Sequence, residues 1–215
     1  MMYYLPGCDV RALHPDAVRK MQKYISSLGI ETAVCCRKDI GYITDEDTMI
    51  QNCTLCDMVL RERIPNNTVL SLYEYLLMVD FPFPDYSGKT VTLQDCWRTR
   101  ENRARQDAVR ECLMRMNIRF LEMPENRENS RYCGVWLNNP IAPDLPVVTP
   151  VLTEALAVHR HLLEPEEQKA RMQEWVKQYT TEEIVTYCNG CERGIRLGGG
   201  HPLAMIELLA RDLPV

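Results

Sequence analysis

The sequence predicts an α/β fold built from two tandem, pseudo-symmetric, cysteine-rich modules, each a small, mostly parallel sheet with flanking helices. Short β-type runs alternate with amphipathic helical patterns along the chain. The order strand–Cys, helix, strand, Cys and Cys-x-x-Cys occurs twice, as expected for a duplicated unit. The length of 215 residues is enough for two small domains.

The first module is predicted to span residues 1–80. It begins with a β-type run, "MYYLPGC", that ends at Cys8. The helix expected in "HPDAVRKMQKYISSLGI" has Pro15 in its first turn, apolar residues at helical spacing and Gly29 as its stop. "ETAVCC" is expected to be a strand, "MVLRERI" a helix, and "NTVLSLYEYLL" a strand that turns into a helix.

Residues 81–88, rich in proline and aromatic residues, are the predicted linker, and residues 89–215 the second module. "KTVTLQDC" predicts a strand that ends at Cys96, and the mixed charges of "RTRENRARQDAVRE" indicate a solvated helix face. "RFLEMP" is the next expected strand. A helical insertion is expected at about 149–179, broken at Pro165. "EIVTYC" and "HPLAMIELL" complete the module.

The composition of the chain excludes several classes of function. A net charge of −5 without a long basic run argues against nucleic acid or an anionic membrane surface as partner. No apolar stretch is long enough to span a bilayer and no targeting segment is visible, so we expect a cytoplasmic protein. In a reducing compartment, ten cysteines favour metal binding or redox chemistry over disulfides.

The cysteines divide into two sets, because the loops that follow parallel strands gather at one edge of a sheet. The first cysteine set is Cys8, Cys35, Cys36, Cys53 and Cys56, and the second cysteine set is Cys96, Cys133, Cys188 and Cys191. Cys112 lies on the apolar face of its helix and is predicted to be core.

Thiolates select zinc, Cu(I) or iron–sulphur clusters. Five thiolates exceed what one zinc ion accepts, and adjacent cysteines are awkward ligands for a single ion, so the first set favours a cluster. The four thiols of the second set leave zinc and a cluster both open.

The motifs "CCR…CTLC" and "YCG…CNGC", each with an upstream cysteine, resemble the cysteine-rich CCG domain. That domain is duplicated in one subunit of heterodisulfide reductase and occurs in iron–sulphur subunits of glycolate, lactate and glycerol-3-phosphate oxidising complexes. The flanking "QDCWRTRENRARQDAVRECL" and "HPLAMIELL" are similar to the family as well. The resemblance implies that Cys8, Cys35, Cys36, Cys53 and Cys56 hold a noncubane [4Fe-4S] cluster that reduces a disulfide.

Two positions depart from the family's pattern. Arg37 stands in place of the motif's glycine, and Tyr132 in place of the first cysteine of the second pair. The second site therefore holds a different cluster, zinc or nothing. Arg37 either stabilises thiolate charge or is a surface residue, and His201 either lines the second site or lies in a surface loop.

The expected function is an oxidoreductase subunit that receives electrons from an iron–sulphur or flavin partner protein and passes them to a small thiol/disulfide-type substrate. An external electron source is needed because the chain has neither a ferredoxin cysteine run nor a Rossmann fingerprint. The alternative is a non-enzymatic assembly or sensor protein stabilised by zinc or a cluster.

Overall fold

The computed structural model describes residues 1–33, 35–38 and 40–214 and contains two four-stranded parallel sheets. The first sheet has the order β2-β1-β3-β4, with β1 (Met2–Leu5), β2 (Glu31–Thr32), β3 (Thr48–Gln51) and β4 (Thr68–Ser71). The second has the order β6-β5-β7-β8, with β5 (Thr90–Gln94), β6 (Arg119–Glu122), β7 (Glu183–Thr186) and β8 (His201–Ala204). The predicted α/β architecture of two small parallel sheets is confirmed.

Helices connect and flank the strands. In the described part of the chain they are α1 (Cys8–Leu13), α2 (Pro15–Ser27), α3 (Thr54–Arg63), α4 (Leu72–Met78), α5 (Arg103–Arg115), α6 (Leu145–Val148), α7 (Pro150–Ala157), α8 (Pro165–Val176), α9 (Asn189–Leu197) and α10 (Met205–Ala210). None of these helices has the length and apolar character needed to cross a membrane.

Local sequence explains why several elements begin where they do. Pro15 occupies the first turn of α2, whose Val18, Met21 and Ile25 are fully buried on one face. At the start of α4, the Ser71 hydroxyl accepts from a backbone N–H of the first turn while the Glu74 carboxylate accepts from the Ser71 N–H. This reciprocal capping box fixes the turn from β4 into α4.

The strands of the first sheet differ in part from the expectation. β3, which pairs with both β1 and β4, is not evident from its sequence "TMIQ". The expected strand "ETAVCC" contains only Glu31 and Thr32 in β2, and Val34 lies outside the described residues. The cysteine-bearing end of that segment is therefore a loop at the edge of the sheet.

The two modules pack reciprocally. Helix α4 of the first module lies against α5 of the second, and α10 of the second lies against α2 of the first. One hydrophobic core runs across both sheets, and its buried members include Tyr4, Val18, Ile50, Leu72, Val91, Leu113, Val185 and Met205. Cys112 belongs to this core, with its Sγ 3.7 Å from the Tyr73 carbonyl oxygen, so its prediction as a core residue is confirmed.

Residues 81–88 pack against the modules. Phe81 and Phe83 make an edge-to-face pair with ring centres 4.9 Å apart. The Tyr86 hydroxyl donates to the carbonyl oxygen of Leu208 at 3.0 Å. The aromatic residues of this segment therefore join the hydrophobic core.

The insertion of the second module reaches the first. Helix α7 contacts α3, where the Glu62 carboxylate accepts from the backbone N–H groups of Val151 and Leu152 at 3.1 and 2.7 Å. Leu145 belongs to the core around the first cysteine set. The helical structure of the insertion is interrupted before Pro165, as predicted. Helix α8 begins there and packs on α9. The insertion thus bridges the helices that carry the two Cys-x-x-Cys motifs.

The prediction of a solvated face on α5 is confirmed only in part, because Arg103 and Asp107 are exposed but two other arginines are not. Arg105 and Arg110 are buried. Arg110 forms an ion pair with buried Asp95 at 2.6 Å and another with Glu122 at 2.6 Å, while Arg105 donates to Gln51 at 3.1 Å. Asp95 and Glu122 compensate the buried charge of Arg110, whereas the Nε and Nη2 atoms of Arg105 have no hydrogen-bond partner among the described residues. A charge pattern in sequence does not reveal this burial.

Candidate metal centres

The carboxyl ends of the parallel strands bring the cysteines together. Cys8 follows β1, Cys53 follows β3, Cys96 follows β5 and Cys188 follows β7. Gly7, with φ of 83°, allows the first two of these loops to approach, because a Cβ at residue 7 would lie 2.8 Å from the Cys53 Cβ. Each sheet therefore presents its cysteines at one edge.

The second cysteine set is compact. Cys96, Cys133, Cys188 and Cys191 are all buried. The sulphurs of Cys96, Cys188 and Cys191 lie within 4.8 Å of one another, and the Cys133 Sγ is 3.7 Å from the Cys96 Sγ. A tetrahedral zinc ion with Zn–S bonds of about 2.3 Å holds its sulphurs about 3.8 Å apart. These thiols therefore stand at separations that suit a metal ion.

The pKa values of this set are shifted in opposite directions. Burial raises the pKa of a thiol, but at Cys188 hydrogen bonds with the neighbouring thiols and the charge of Arg98 prevail and hold the pKa well below its usual value. Burial and the hydrogen bond with Cys188 raise the pKa of Cys191, and the same causes raise that of Cys133. Cys188 is thus the thiolate that its neighbours stabilise.

Tyr132 points away from the thiols. Its hydroxyl lies 3.3 Å from the Cys191 carbonyl oxygen and 3.6 Å from the Met172 sulphur, and its ring stacks on Trp175 with centres 4.7 Å apart. Burial raises the pKa of Tyr132 far above its ordinary value. The residue therefore packs behind the second set as a neutral phenol and offers it no ligand atom.

Backbone contacts hold the loops of the second set together. The Trp97 N–H donates to the Tyr132 carbonyl at 2.8 Å, and the Val135 N–H donates to the Gly190 carbonyl at 3.2 Å. Gly134 has φ of 54°, and a Cβ there would lie 1.8 Å from the Gly190 carbonyl oxygen. Glycine is required in this "YCG" loop because the backbone of "CNGC" packs directly on it.

The first cysteine set is more open. Cys36 and Cys56 are buried with their sulphurs 3.2 Å apart, Cys35 and Cys53 are partly buried, and Cys8 is exposed. The hydrogen bond with Cys56 lowers the pKa of Cys53, whereas hydrogen bonds with Cys36 and Cys53 raise that of Cys56. The first set therefore pairs a buried dithiol with solvent-accessible thiols.

Arginines surround the first set. The Arg37 guanidinium hydrogen bonds with Cys8 and forms an ion pair with Asp144. Burial raises the pKa of Cys8, and the hydrogen bond from Arg37 opposes that rise. Arg63, which the sequence did not single out, donates to the Cys36 carbonyl at 2.6 Å and so ties the cysteine pair to α3. Arg37 thus lies beside a thiol of the first set.

A cavity of about 420 Å³ separates the two sets. Its walls include four thiols of the first set, one of the second, three cations and an aromatic ring: Cys8, Cys36, Cys53, Cys56, Cys188, Arg37, Arg98, Arg193 and Trp136. Arg98 falls within the stretch predicted to be a solvated helix face, although its position just after strand-end Cys96 is the signal that could have identified it.

His201 lies away from the second cysteine set. It begins β8 opposite Glu183, whereas the cysteines follow the other end of the neighbouring strand β7, at Thr186. Its side chain is exposed. The structure therefore places His201 at the edge of the sheet opposite the thiols.

Comparisons of the chain with models of protein families, with curated proteins and with solved structures found no match. What the site can do is therefore argued from its donor atoms. The thiols of Cys96, Cys188 and Cys191 lie close enough together to bind a soft metal ion or a cluster, since thiolates are the preferred ligands of both.

Proposed function

We propose that this chain is an iron–sulphur oxidoreductase subunit with two CCG-type modules, similar to the CCG-domain subunit of heterodisulfide reductase. The observation that supports it is the openness of the first cysteine set to a cavity of about 420 Å³. In this proposal, Cys8, Cys35, Cys36, Cys53 and Cys56 hold a noncubane [4Fe-4S] cluster, which supplies single electrons when bound. The substrate is a disulfide or a similar small molecule that enters the cavity.

The protein's own residues bind and orient the substrate. Arg37 and Arg193 lie in the cavity wall with their charges paired to Asp144 and Asp9, so they offer directed N–H groups more than free charge. The Trp136 ring provides an apolar surface on the same wall. Solvent reaches Cys8, so this edge is also where an iron–sulphur or flavin partner protein would deliver electrons.

The second cysteine set is proposed to hold a structural metal ion. The sulphur separations of 3.7 Å and up to 4.8 Å are compatible with the spacing of about 3.8 Å between thiolates on a single zinc ion. Complete burial of the four thiols supports this assignment, since closed four-thiolate sites tend to be structural.

Anaerobic purification tests the proposal. Iron, acid-labile sulphide and zinc are measured per chain, together with the visible and EPR spectra. We expect iron and sulphide in the wild type, and loss of the visible and EPR signals in Cys36→Ala. Cys112→Ala is the matched control, because it removes a buried thiol outside both sets and should keep every signal. Zinc as the only metal in the wild type would overturn the cluster assignment.

A non-enzymatic assembly or sensor protein is the second candidate, and the closed geometry of the second set favours it. In that case the metals only tie the modules together. A preparation that contains metal at both sites but shows no reversible change in its visible or EPR spectrum upon reduction would support this candidate.

A further inference from the structure

Arg98 stands between the two cysteine sets. It lies in the short turn of 3₁₀ helix that follows Cys96, at residues 97–99. Its Nη2 donates to the Cys188 sulphur at 3.0 Å, and both residues line the cavity together with Cys53 of the first set. A guanidinium at this point interacts electrostatically with thiols of both sets.

The position of the guanidinium is fixed by its surroundings. It stacks on Trp136 at 4.4 Å from the ring centre, and Arg160 stacks on the same ring at 4.9 Å. Gly190 leaves the necessary room, because a Cβ there would lie 3.3 Å from the Arg98 Nη2. The ring and the glycine together direct the cation toward the thiols.

Arg98 has an unbalanced charge in the part of the chain that the structure describes. The other arginines of the cavity, Arg37 and Arg193, pair with Asp144 and Asp9, whereas no carboxylate of the described residues lies at salt-bridge distance from Arg98. Its buried Nε has no hydrogen-bond partner among the described residues either. The side chain is partly buried, and a desolvated cation is stabilised by compensating negative charge, for which the Cys188 sulphur is the positioned group.

Arg98 interacts electrostatically with several thiols. The electrostatic interaction of Arg98 is largest with Cys188, followed by Cys133, Cys96 and, in the first set, Cys53. The turn that carries Arg98 also contacts α3, the helix that Cys53 caps. One side chain of the second module therefore acts on the charge of both sets.

We propose that Arg98 is a shared positioning residue that stabilises the metal–thiolate charge of both sites at once. This inference rests on the proposal that both cysteine sets bind metal, and it does not depend on which metal they hold. Four thiolates around a divalent ion leave two net negative charges, so each site gains from a fixed cation nearby. Arg98 couples the two sites by this shared charge.

The test is the rate at which metal leaves each site to an excess of chelator in anaerobic protein as purified. Arg98→Met removes the charge, Arg98→Lys keeps it, and Arg100→Met is the matched control. Arg100 stacks on Trp97 at 5.1 Å and makes no contact with a thiol of the described residues. The same variants in a Cys36→Ala background report the second site alone, since the first is then disabled.

In Arg98→Met we expect release from both sites to accelerate by about tenfold, the usual order for a residue that supports metal ligands. Arg98→Lys should recover most of the loss, and Arg100→Met should match the wild type. Unchanged rates at both sites, or acceleration at one site only, would overturn the shared role. A wild type without iron would refute the cluster while the zinc-release measurement still decides the role of Arg98.

Discussion

The two cysteine sets occupy equivalent edges of equivalent sheets, yet one is closed and the other open. Cys96 and Cys191 have 0% exposure, and all four thiols of the second set are buried. In the first set, Cys8 is exposed, and Cys35 and Cys53 are only partly buried. The comparison teaches that a shared fold positions thiols, while the packing of loops decides whether a substrate can reach them.

The loops account for the difference. In the second module, Gly134 packs on Gly190, so the two cysteine loops touch through their backbones. The corresponding residues of the first module are Arg37 and Leu55, so neither of its loops has a glycine at this position. Arg63 holds the cysteine pair from the side instead, by bonding to the Cys36 carbonyl. The second module is closed by backbone contacts, and the first is held by arginine side chains.

The largest expected effect on stability comes from removing one thiol from each cysteine set and comparing the two variants. Cys191→Ala should lower the free energy of unfolding by about 4 kcal/mol or more, because it removes a structural metal ligand from a closed site. Cys36→Ala should cost about 1–2 kcal/mol and leave the fold intact. Anaerobic denaturant titration of both variants provides the measurement. Equal losses would show that the sets do not differ in role.

The next effect concerns the loop contact. Gly134→Ala should destabilise the protein by about 3 kcal/mol, because residue 134 has positive φ and its Cβ would collide with the Gly190 carbonyl. Arg37→Gly, at the equivalent position, should cost about 1 kcal/mol. Thermal unfolding compares the two. A similar shift in both variants would contradict our explanation of why only the second site is closed.

A pH-dependent effect tests the contact between the helices that bear the two sets. His14, which joins α1 to α2, is buried and forms ion pairs with Glu192 of α9 at 2.8 Å and with Glu207 of α10 at 3.0 Å. Burial alone would lower the pKa of His14, but the two carboxylates prevail and raise it from 6.5 to about 9. Protonated His14 therefore favours the folded state.

His14→Gln should lower the free energy of unfolding by about 2 kcal/mol at low pH. This is less than the free energy that corresponds to the full pKa shift, because Glu207 is half exposed and solvent screens its charge. Since the folded pKa lies above the unfolded one, this contribution is complete below about pH 6.5 and disappears as the pH rises through about 9. Denaturant unfolding at about pH 6 and about pH 9.5 measures the difference, with exposed His201→Gln as control. A loss that does not depend on pH would refute the ion pairs.

The smallest effect is expected at Cys112. Cys112→Ala should cost about 1 kcal/mol and change no metal content, because the thiol is buried in the core between the modules. Metal analysis and unfolding of the same sample check both parts. Loss of metal with the fold intact would show that the core thiol is a ligand.

Periodicity in the sequence predicts elements whose own residues determine them. Helix α2 follows from the spacing of Val18, Met21 and Ile25, and β7 from the β-branched run in "EIVT". Strand β3 escapes prediction because "TMIQ" is short and lies between polar residues, so its pairing on both sides decides its conformation. Tertiary pairing of this kind leaves little trace in a local pattern.

The grouping of the cysteines could be inferred because it depends on strand ends alone. The cavity and the role of Arg63 could not, since they arise where separate modules and loops meet. The sequence pattern did not predict the burial of Arg105 either, because its hydrogen-bond acceptor, Gln51, belongs to the other module. Composition and spacing indicate the contacts within a module better than those between modules.

The bridging insertion also sets an order of events during synthesis. The first module leaves the ribosome well before Leu145 completes its second core and before Val151 and Leu152 reach Glu62. Until then, the insertion does not pack against α3 and the thiols that it carries. Nascent domains fold in the order in which they emerge. The open site is therefore the first to be translated and among the last to be finished.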